Sequence, residues 1–354
     1  MRRTTLLGTL AGLTTTAAVA AATAMPAAQA AAPSYVALGD SYSSGTGTRS
    51  YIDDGTDCLR STYAYPSLIA AARGYALNFR ACSGATVPDV AATQLGALTS
   101  GTSYVSVSVG GNDAGFADVL TECAQPAWMS DCFGAIEGAR RYIDTTLPSA
   151  LTGLYGKIRT RSPQATVVVA GYPRIFNGED CNAGTWFSPE EEAALNATAD
   201  RLNAVTRTAA TNAGVRFADP TSRFVGHAVC DDVEWINGLS YPVVESYHPN
   251  RAGQASGYTP TVSPVLTGTT TAVTRTVRRQ ARSSATELAA QQRGYAEADG
   301  SIGDETVHAP DLRSADARRG ARAHGVDLGS RASIDRVDRA LSRAQAERWS
   351  AGQE

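Results

Sequence analysis

Histidine and cysteine are scarce in this 354-residue chain, with four of the first and six of the second. No Cys-x-x-Cys pair or His-rich spacing occurs, which sets aside the usual metal-binding arrangements. Net charge is only −3, and the first 258 residues hold no basic stripe and no nucleic-acid motif. Nothing there points to a polyanionic partner, and no nucleic-acid partner is expected. Long apolar runs are missing too: the one candidate, Leu6 to Ala22, is interrupted by Thr14, Thr15 and Thr16 and is short for a membrane span. The chain shows no internal repeat.

What is present is enough apolar residue, 43% of the chain, for a sizeable core. Residues 1–32 stand apart from it. Met1-Arg2-Arg3 gives a positive start, an apolar stretch follows, and Ala28-Gln29-Ala30 is a small-x-small cleavage site. This is the pattern of a secretory leader, predicting an extracellular protein by either the Sec or the Tat route. The cysteines at 58, 82, 123, 132, 181 and 230 agree, since an even number in an exported chain predicts disulfides. Six cysteines permit fifteen pairings, of which the sequential one, Cys58–Cys82, Cys123–Cys132 and Cys181–Cys230, is the simplest.

From residue 34 to about 258, short apolar runs alternate with helical patterns. Strands are predicted at 34–38, 76–80, 103–109, 165–170 and 215–218, and helices at 63–73, 88–98, 114–123, 135–161 and 189–213. The last helix has a clear start, with Ser188 as N-cap, Pro189 in the first turn and Glu191 closing a capping box. Gly214 is placed to end it. Alternation of this kind predicts one three-layer α/β domain over 33–258, with a parallel sheet covered on both faces. Beyond Tyr258 the composition changes. Residues 259–274, rich in Thr, Pro, Ser and Gly, are expected to form a linker. Residues 275–354, dense in both charge signs, are expected to form a solvated, disordered tail; the alternative is a helical segment or small interaction module, in which Ile334, Val337, Leu341 and Trp349 could share a helix face.

The stretch Tyr35-Val36-Ala37-Leu38-Gly39-Asp40-Ser41 is the focus of the domain. A buried strand ends there in a small-residue turn, and reactive groups of open α/β sheets gather beyond such strand ends. The same turn would also suit Ser41 as an ordinary N-cap. A serine nucleophile needs a base, and histidine is the usual one. His308 and His324 belong to the tail, which leaves His227 and His248. His248, in Glu245-Ser246-Tyr247-His248-Pro249-Asn250, is the stronger candidate, and His227 sits in a Gly-flanked loop before Cys230. Two more strand ends offer donors for an oxyanion: the Gly84 N–H in Cys82-Ser83-Gly84-Ala85, and the Asn112 side chain in Gly110-Gly111-Asn112-Asp113. Asp40 and Asp113 suit loop capping better than chemistry.

Together, Gly39-Asp40-Ser41, Gly84, Gly110-Gly111-Asn112-Asp113 and His248-Pro249 resemble the four blocks of the SGNH, or GDSL, hydrolase family over about residues 34–258. The match is closest to the family's secreted actinobacterial lipases, esterases and phospholipases. The resemblance implies a flavodoxin-like α/β/α sandwich with a five-stranded parallel sheet and the same sequential disulfide pairing. It also implies Ser41 as nucleophile, His248 as base, and an oxyanion hole from the Ser41 and Gly84 N–H groups with Asn112. Many members place Asp three residues before the histidine, where this chain has Glu245. Some secreted relatives orient the imidazole with a backbone carbonyl instead, which here would be that of Ser246. The expectation is a monomeric, cofactor-free carboxylic ester hydrolase acting on an ester or lipid substrate, in transient contact with a lipid interface. Its activity should rise through about pH 6–7 as the imidazole loses its proton. A carbohydrate acetyl esterase and a non-catalytic binding module are the alternatives.

Overall fold

A computed structural model describes residues 31–304 and 306–352, together with positions 1, 4, 5 and 8. The leader expected over 1–32 therefore lies almost wholly outside the described residues. Five strands, β1 (Ser34–Gly39), β2 (Ala76–Phe79), β3 (Tyr104–Ser108), β4 (Thr166–Ala170) and β5 (Arg216–Ala218), form one sheet in the order β2-β1-β3-β4-β5. All four pairings are parallel. β1, β3 and β4 are buried along nearly their whole length, which explains why they read as apolar runs rather than as alternating ones. The order is the flavodoxin-like one, whose switch point lies between β1 and β3.

The helices through the predicted domain are α1 (Ser41–Ser44), α2 (Tyr65–Arg73), α3 (Val87–Asp89), α4 (Phe116–Cys123), α5 (Cys132–Thr145), α6 (Leu147–Arg161) and α7 (Pro189–Asn212), with α8 (Thr259–Thr267) just beyond it. The helix predicted over 88–98 begins as α3 and continues as a π turn and a 3₁₀ turn to Ala97. The one predicted over 135–161 is divided into α5 and α6 at Thr146, because Pro148, lacking an N–H, opens a new helix rather than continuing the old one. α7 starts as the sequence indicates: Ser188 accepts from the Glu191 N–H, and the Glu191 carboxylate accepts in return from the Ser188 N–H. Three disulfides close the chain as Cys58–Cys82, Cys123–Cys132 and Cys181–Cys230. Among the described residues no helix is long and apolar enough to cross a membrane.

The expectation for the chain after Tyr258 needs correction. Residues 259–267 are not linker but α8, which continues a π turn over Gly253–Tyr258 and buries Val262 and Leu266 against the sheet. The solvated, disordered tail expected over 275–354 is corrected as well, since its described residues form packed helices: α9 (Arg275–Ser283), α10 (Ala285–Arg293), α11 (Ala296–Asp299), α12 (Ala315–Ala323) and α13 (Arg331–Ala351). These helices pack onto the α/β core. Val277 and Ala281 of α9 cluster with Leu68 of α2. On α13 the buried stripe is Ile334, Asp338, Ser342 and Ala346, four residues apart, while Trp349 stacks on Phe133 at 4.8 Å.

Charge holds this extension in place. Asp299 of α11, 3% exposed, accepts from Arg60 at 2.6 Å and from Arg80 at 2.6 and 3.1 Å. Arg60 also binds Asp54 at 2.7 Å, and Arg80 donates to Gln292 of α10 at 2.8 Å. Two guanidinium groups thus face two carboxylates in a region with almost no water contact. Mixed charge in the sequence hid this, because pairing across 239 positions leaves no local pattern. Removing one member of such a set strands a buried charge, at a cost of about 3–5 kcal/mol. Asp299→Ala is accordingly expected to lower the urea unfolding free energy by that order; a change lost in the error of the measurement would show that the extension folds apart from the sheet.

Candidate active site

β1 ends at Gly39, whose backbone runs against β3. With φ at +116°, a Cβ built there would stand 2.1 Å from the Ser108 carbonyl oxygen, so only glycine fits. The close approach lets the Asp40 N–H donate to that carbonyl at 2.9 Å. Gln94, from the π turn, clamps Gly39 on both sides, accepting from its N–H at 2.7 Å and donating to its carbonyl at 2.9 Å. Asp40 then N-caps α1 through the Tyr42 N–H at 3.1 Å, which puts Ser41 in the first position of a four-residue helix. The Asp40 carboxylate also accepts from Ser108 Oγ at 2.6 Å and from the Tyr172 hydroxyl. Its pKa is raised to about 6 by burial, with the three donors pulling the other way.

His248 arrives from 207 residues downstream, and its Nε2 lies 2.8 Å from Ser41 Oγ. Its Nδ1 lies 2.8 Å from the Ser246 carbonyl oxygen. A carbonyl can only accept, so in the neutral ring Nδ1 carries the proton and Nε2 presents its lone pair to the serine. The base loop is sewn directly to the nucleophile loop. Tyr42 donates its hydroxyl to the Tyr247 carbonyl at 2.9 Å, and its ring centre is 5.4 Å from that of His248. Asn237 donates to the Gly47 carbonyl at 2.9 Å, and Gln254 to the Tyr42 carbonyl at 3.0 Å. At Gly47 a side chain would collide with His248 Cβ at 2.8 Å. These ties hold Tyr247 at φ +59°, a left-handed conformation costing about 1–3 kcal/mol for a residue with a side chain.

Burial lowers the His248 pKa to about 4, with the Ser246 carbonyl acting in the opposite direction. The imidazole is therefore neutral well below the range of about 6–7 expected of an ordinary histidine. Glu245 does not reach it: the Glu245 carboxylate accepts from the Tyr51 hydroxyl. His227 is also elsewhere, bonded to the Val233 carbonyl at 2.7 Å and stacked on Trp235 at 3.7 Å.

The other two blocks meet beside Ser41. One N–H of the Asn112 side chain is spent on the Ala85 carbonyl at 3.0 Å, leaving the second to point elsewhere. Asp113 accepts the Val87 N–H at 3.0 Å on both oxygens, so the turns after β2 and β3 are fastened together. Gly84, at φ +82°, lies between Ser83, which accepts from Thr46 of the nucleophile loop at 3.2 Å, and Ala85. Among the described residues neither the Ser41 nor the Gly84 N–H donates to a protein acceptor. A groove of about 680 Å³, measured with its open mouth, leads away from Ser41, Asn112 and His248. Its walls are largely apolar, with Phe116, Leu120, Ile175, Leu202, Val243 and Val244 among them. Tyr42, Gln94, Tyr172 and Gln254 are the positions that sequence reasoning missed. No local pattern marks them, because each bonds to a segment 55 to 212 positions away.

The arrangement suits attack by an activated hydroxyl on a substrate with an apolar arm, and comparison with known proteins agrees. Residues 37–255 match the model of the GDSL-like Lipase/Acylhydrolase family. A lipase of Streptomyces rimosus is 47% identical over 66% of this chain and 86% of its own length. Lipase 1 of Streptomyces coelicolor is 46% identical over 74% of this chain and 99% of its own. Among solved structures, the extracellular lipase of Streptomyces rimosus aligns with a TM-score of 0.62 at 45% identity, over 66% of this chain and 100% of that one. Phospholipase A1 of Streptomyces albidoflavus NA297 aligns with the same TM-score at 41% identity, over 66% and 99%. The chain belongs to the GDSL-like lipase/acylhydrolase family and is a serine carboxylic ester hydrolase.

Proposed function

We propose that the protein is an exported lipase or phospholipase-type enzyme that works through an acyl-enzyme on Ser41. The observation that carries this reading is the continuous chain from Ser41 Oγ to His248 Nε2 and from His248 Nδ1 to the Ser246 carbonyl. His248 takes the serine proton as Oγ attacks the ester carbonyl, and the Ser246 carbonyl supports the imidazolium that forms. The Ser41 and Gly84 N–H groups and the spare Asn112 N–H receive the oxyanion. His248 then returns the proton to the leaving alkoxide, and water releases the acid by the same steps in reverse. The apolar groove favours a fatty acyl chain over acetyl, and the relatives named lipase and phospholipase A1 support a lipid ester. Export rests on the leader pattern in residues 1–32 and on the relative described as extracellular.

A fluorophosphonate probe is expected to label the native protein and not Ser41→Ala; a native protein left unlabelled would falsify the serine mechanism. The pH dependence carries its own sign. Only the neutral imidazole can accept a proton, and burial holds its pKa near 4. With a short soluble ester, kcat/KM should therefore stay level as pH drops from 7 to 5 and collapse around 4. A midpoint at 6–7 would mean the ring is solvated during catalysis. Glu245→Gln distinguishes the two ways of orienting the base. Loss of an orienting carboxylate costs kcat about 10⁴-fold, whereas this substitution, at a residue bonded to Tyr51 rather than to His248, should leave kcat close to that of the parent.

A further inference from the structure

One wall of the groove comes from the extension. Val307, 6% exposed and packed into the main core, lines the same cavity as Ser41 and His248. Its neighbour His308 donates its backbone N–H to Thr121 Oγ1 at 2.9 Å, on α4. α4 also supplies Phe116, Ala117 and Leu120 to the groove, in a run that leads away from Asn112. Four residues of helix advance about 6 Å, so Leu120 and Thr121 stand one turn beyond Phe116. The segment carrying Val307 is pinned on both flanks. Upstream, Asp299 is locked between Arg60 and Arg80. Downstream, α12 lies so close to Trp128 that a Cβ at Gly320 would stand 2.7 Å from the indole, and Asp338 of α13 accepts the Ala127 N–H at 2.8 Å.

We infer that the extension is a strap across the far end of the acyl groove, and that Val307 sets the length of fatty chain the enzyme accepts. The inference rests on the acyl-enzyme reading above. An apolar side chain fixed at the end of an apolar slot excludes methylenes that would otherwise be buried, and each one gained or lost there changes kcat/KM by a factor of about 10 or more. The strap needs no motion to do this, because both flanks are fixed by buried contacts.

The test is the ratio of kcat/KM for p-nitrophenyl hexadecanoate to that for p-nitrophenyl butanoate, measured on the full-length protein. Val307→Ala should raise the ratio and Val307→Trp should lower it, each by about tenfold. Thr121→Val, which loosens the strap without touching the groove wall, should move the ratio in the same direction as Val307→Ala. Thermal unfolding confirms that each variant is folded, and Val307→Ala with Thr121→Val decides the matter if the tryptophan variant does not fold. A ratio unmoved in the folded variants, or shifted the same way by alanine and tryptophan, overturns the inference. Labelling of the native protein that does not depend on Ser41 would instead remove the reading beneath it.

Discussion

The site depends on a single close approach, that of Gly39 to the Ser108 carbonyl. Two strands next to each other in a parallel sheet normally keep their side chains clear of the neighbouring backbone. Here the missing Cβ allows the end of β1 to press onto β3, and the Asp40 N–H uses the carbonyl that a side chain would have covered. The consequence is geometric. Ser41 is delivered at the first turn of a helix too short to stand alone, since an isolated four-residue helix gains almost nothing from its own hydrogen bonds. Its position is imposed from outside, by Gln94 on Gly39 and by the donors around Asp40.

That imposition has a cost, and the structure shows where it falls. Asp40 is buried among hydroxyls that stabilise its charge, yet burial prevails and its pKa is raised to about 6. Tyr247 is held in a left-handed conformation one residue before the base. Both are local losses tolerated because the surrounding contacts fix the two loops to each other. The Tyr42–Tyr247, Asn237–Gly47 and Gln254–Tyr42 bonds span from 190 to 212 positions. Aligning Ser41 and His248 is thus a property of the folded core, set by contacts distant in sequence.

Much of this was legible in the sequence, for physical reasons that differ by element. Parallel strands buried on both faces must be apolar throughout, so β1, β3 and β4 announced themselves as continuous runs. Gly39-Asp40-Ser41 and His248-Pro249 were legible because a turn that tight and a base loop that stiff admit few residue types. The orienting group was only half legible: a backbone carbonyl has no side chain to mark it, while Glu245 did, and the more visible group turned out to face Tyr51. Pro148 was on the page, but helical periodicity on both sides concealed the break it makes. The extension was hardest to read. Arg60, Arg80 and Asp299 look like surface charges until the fold brings them together.

That last group also explains how so polar an extension can be held so firmly. The crystallised Streptomyces rimosus lipase is matched along its whole length by 66% of this chain, so about a third of the sequence has no counterpart there. A buried ion network contributes little net stability, because desolvation consumes most of the Coulombic gain. What it supplies is registration. Apolar contacts such as Val277 on Leu68 would tolerate some sliding, whereas Asp299 has one position in which it satisfies two guanidinium groups at once. Fixing that carboxylate fixes α11 and sets where the following segment must begin. Val307 comes only eight residues later in the sequence. An extension rich in charge and poor in large apolar residues can in this way hold one valine in a defined place in the wall of the groove that opens from the reacting serine.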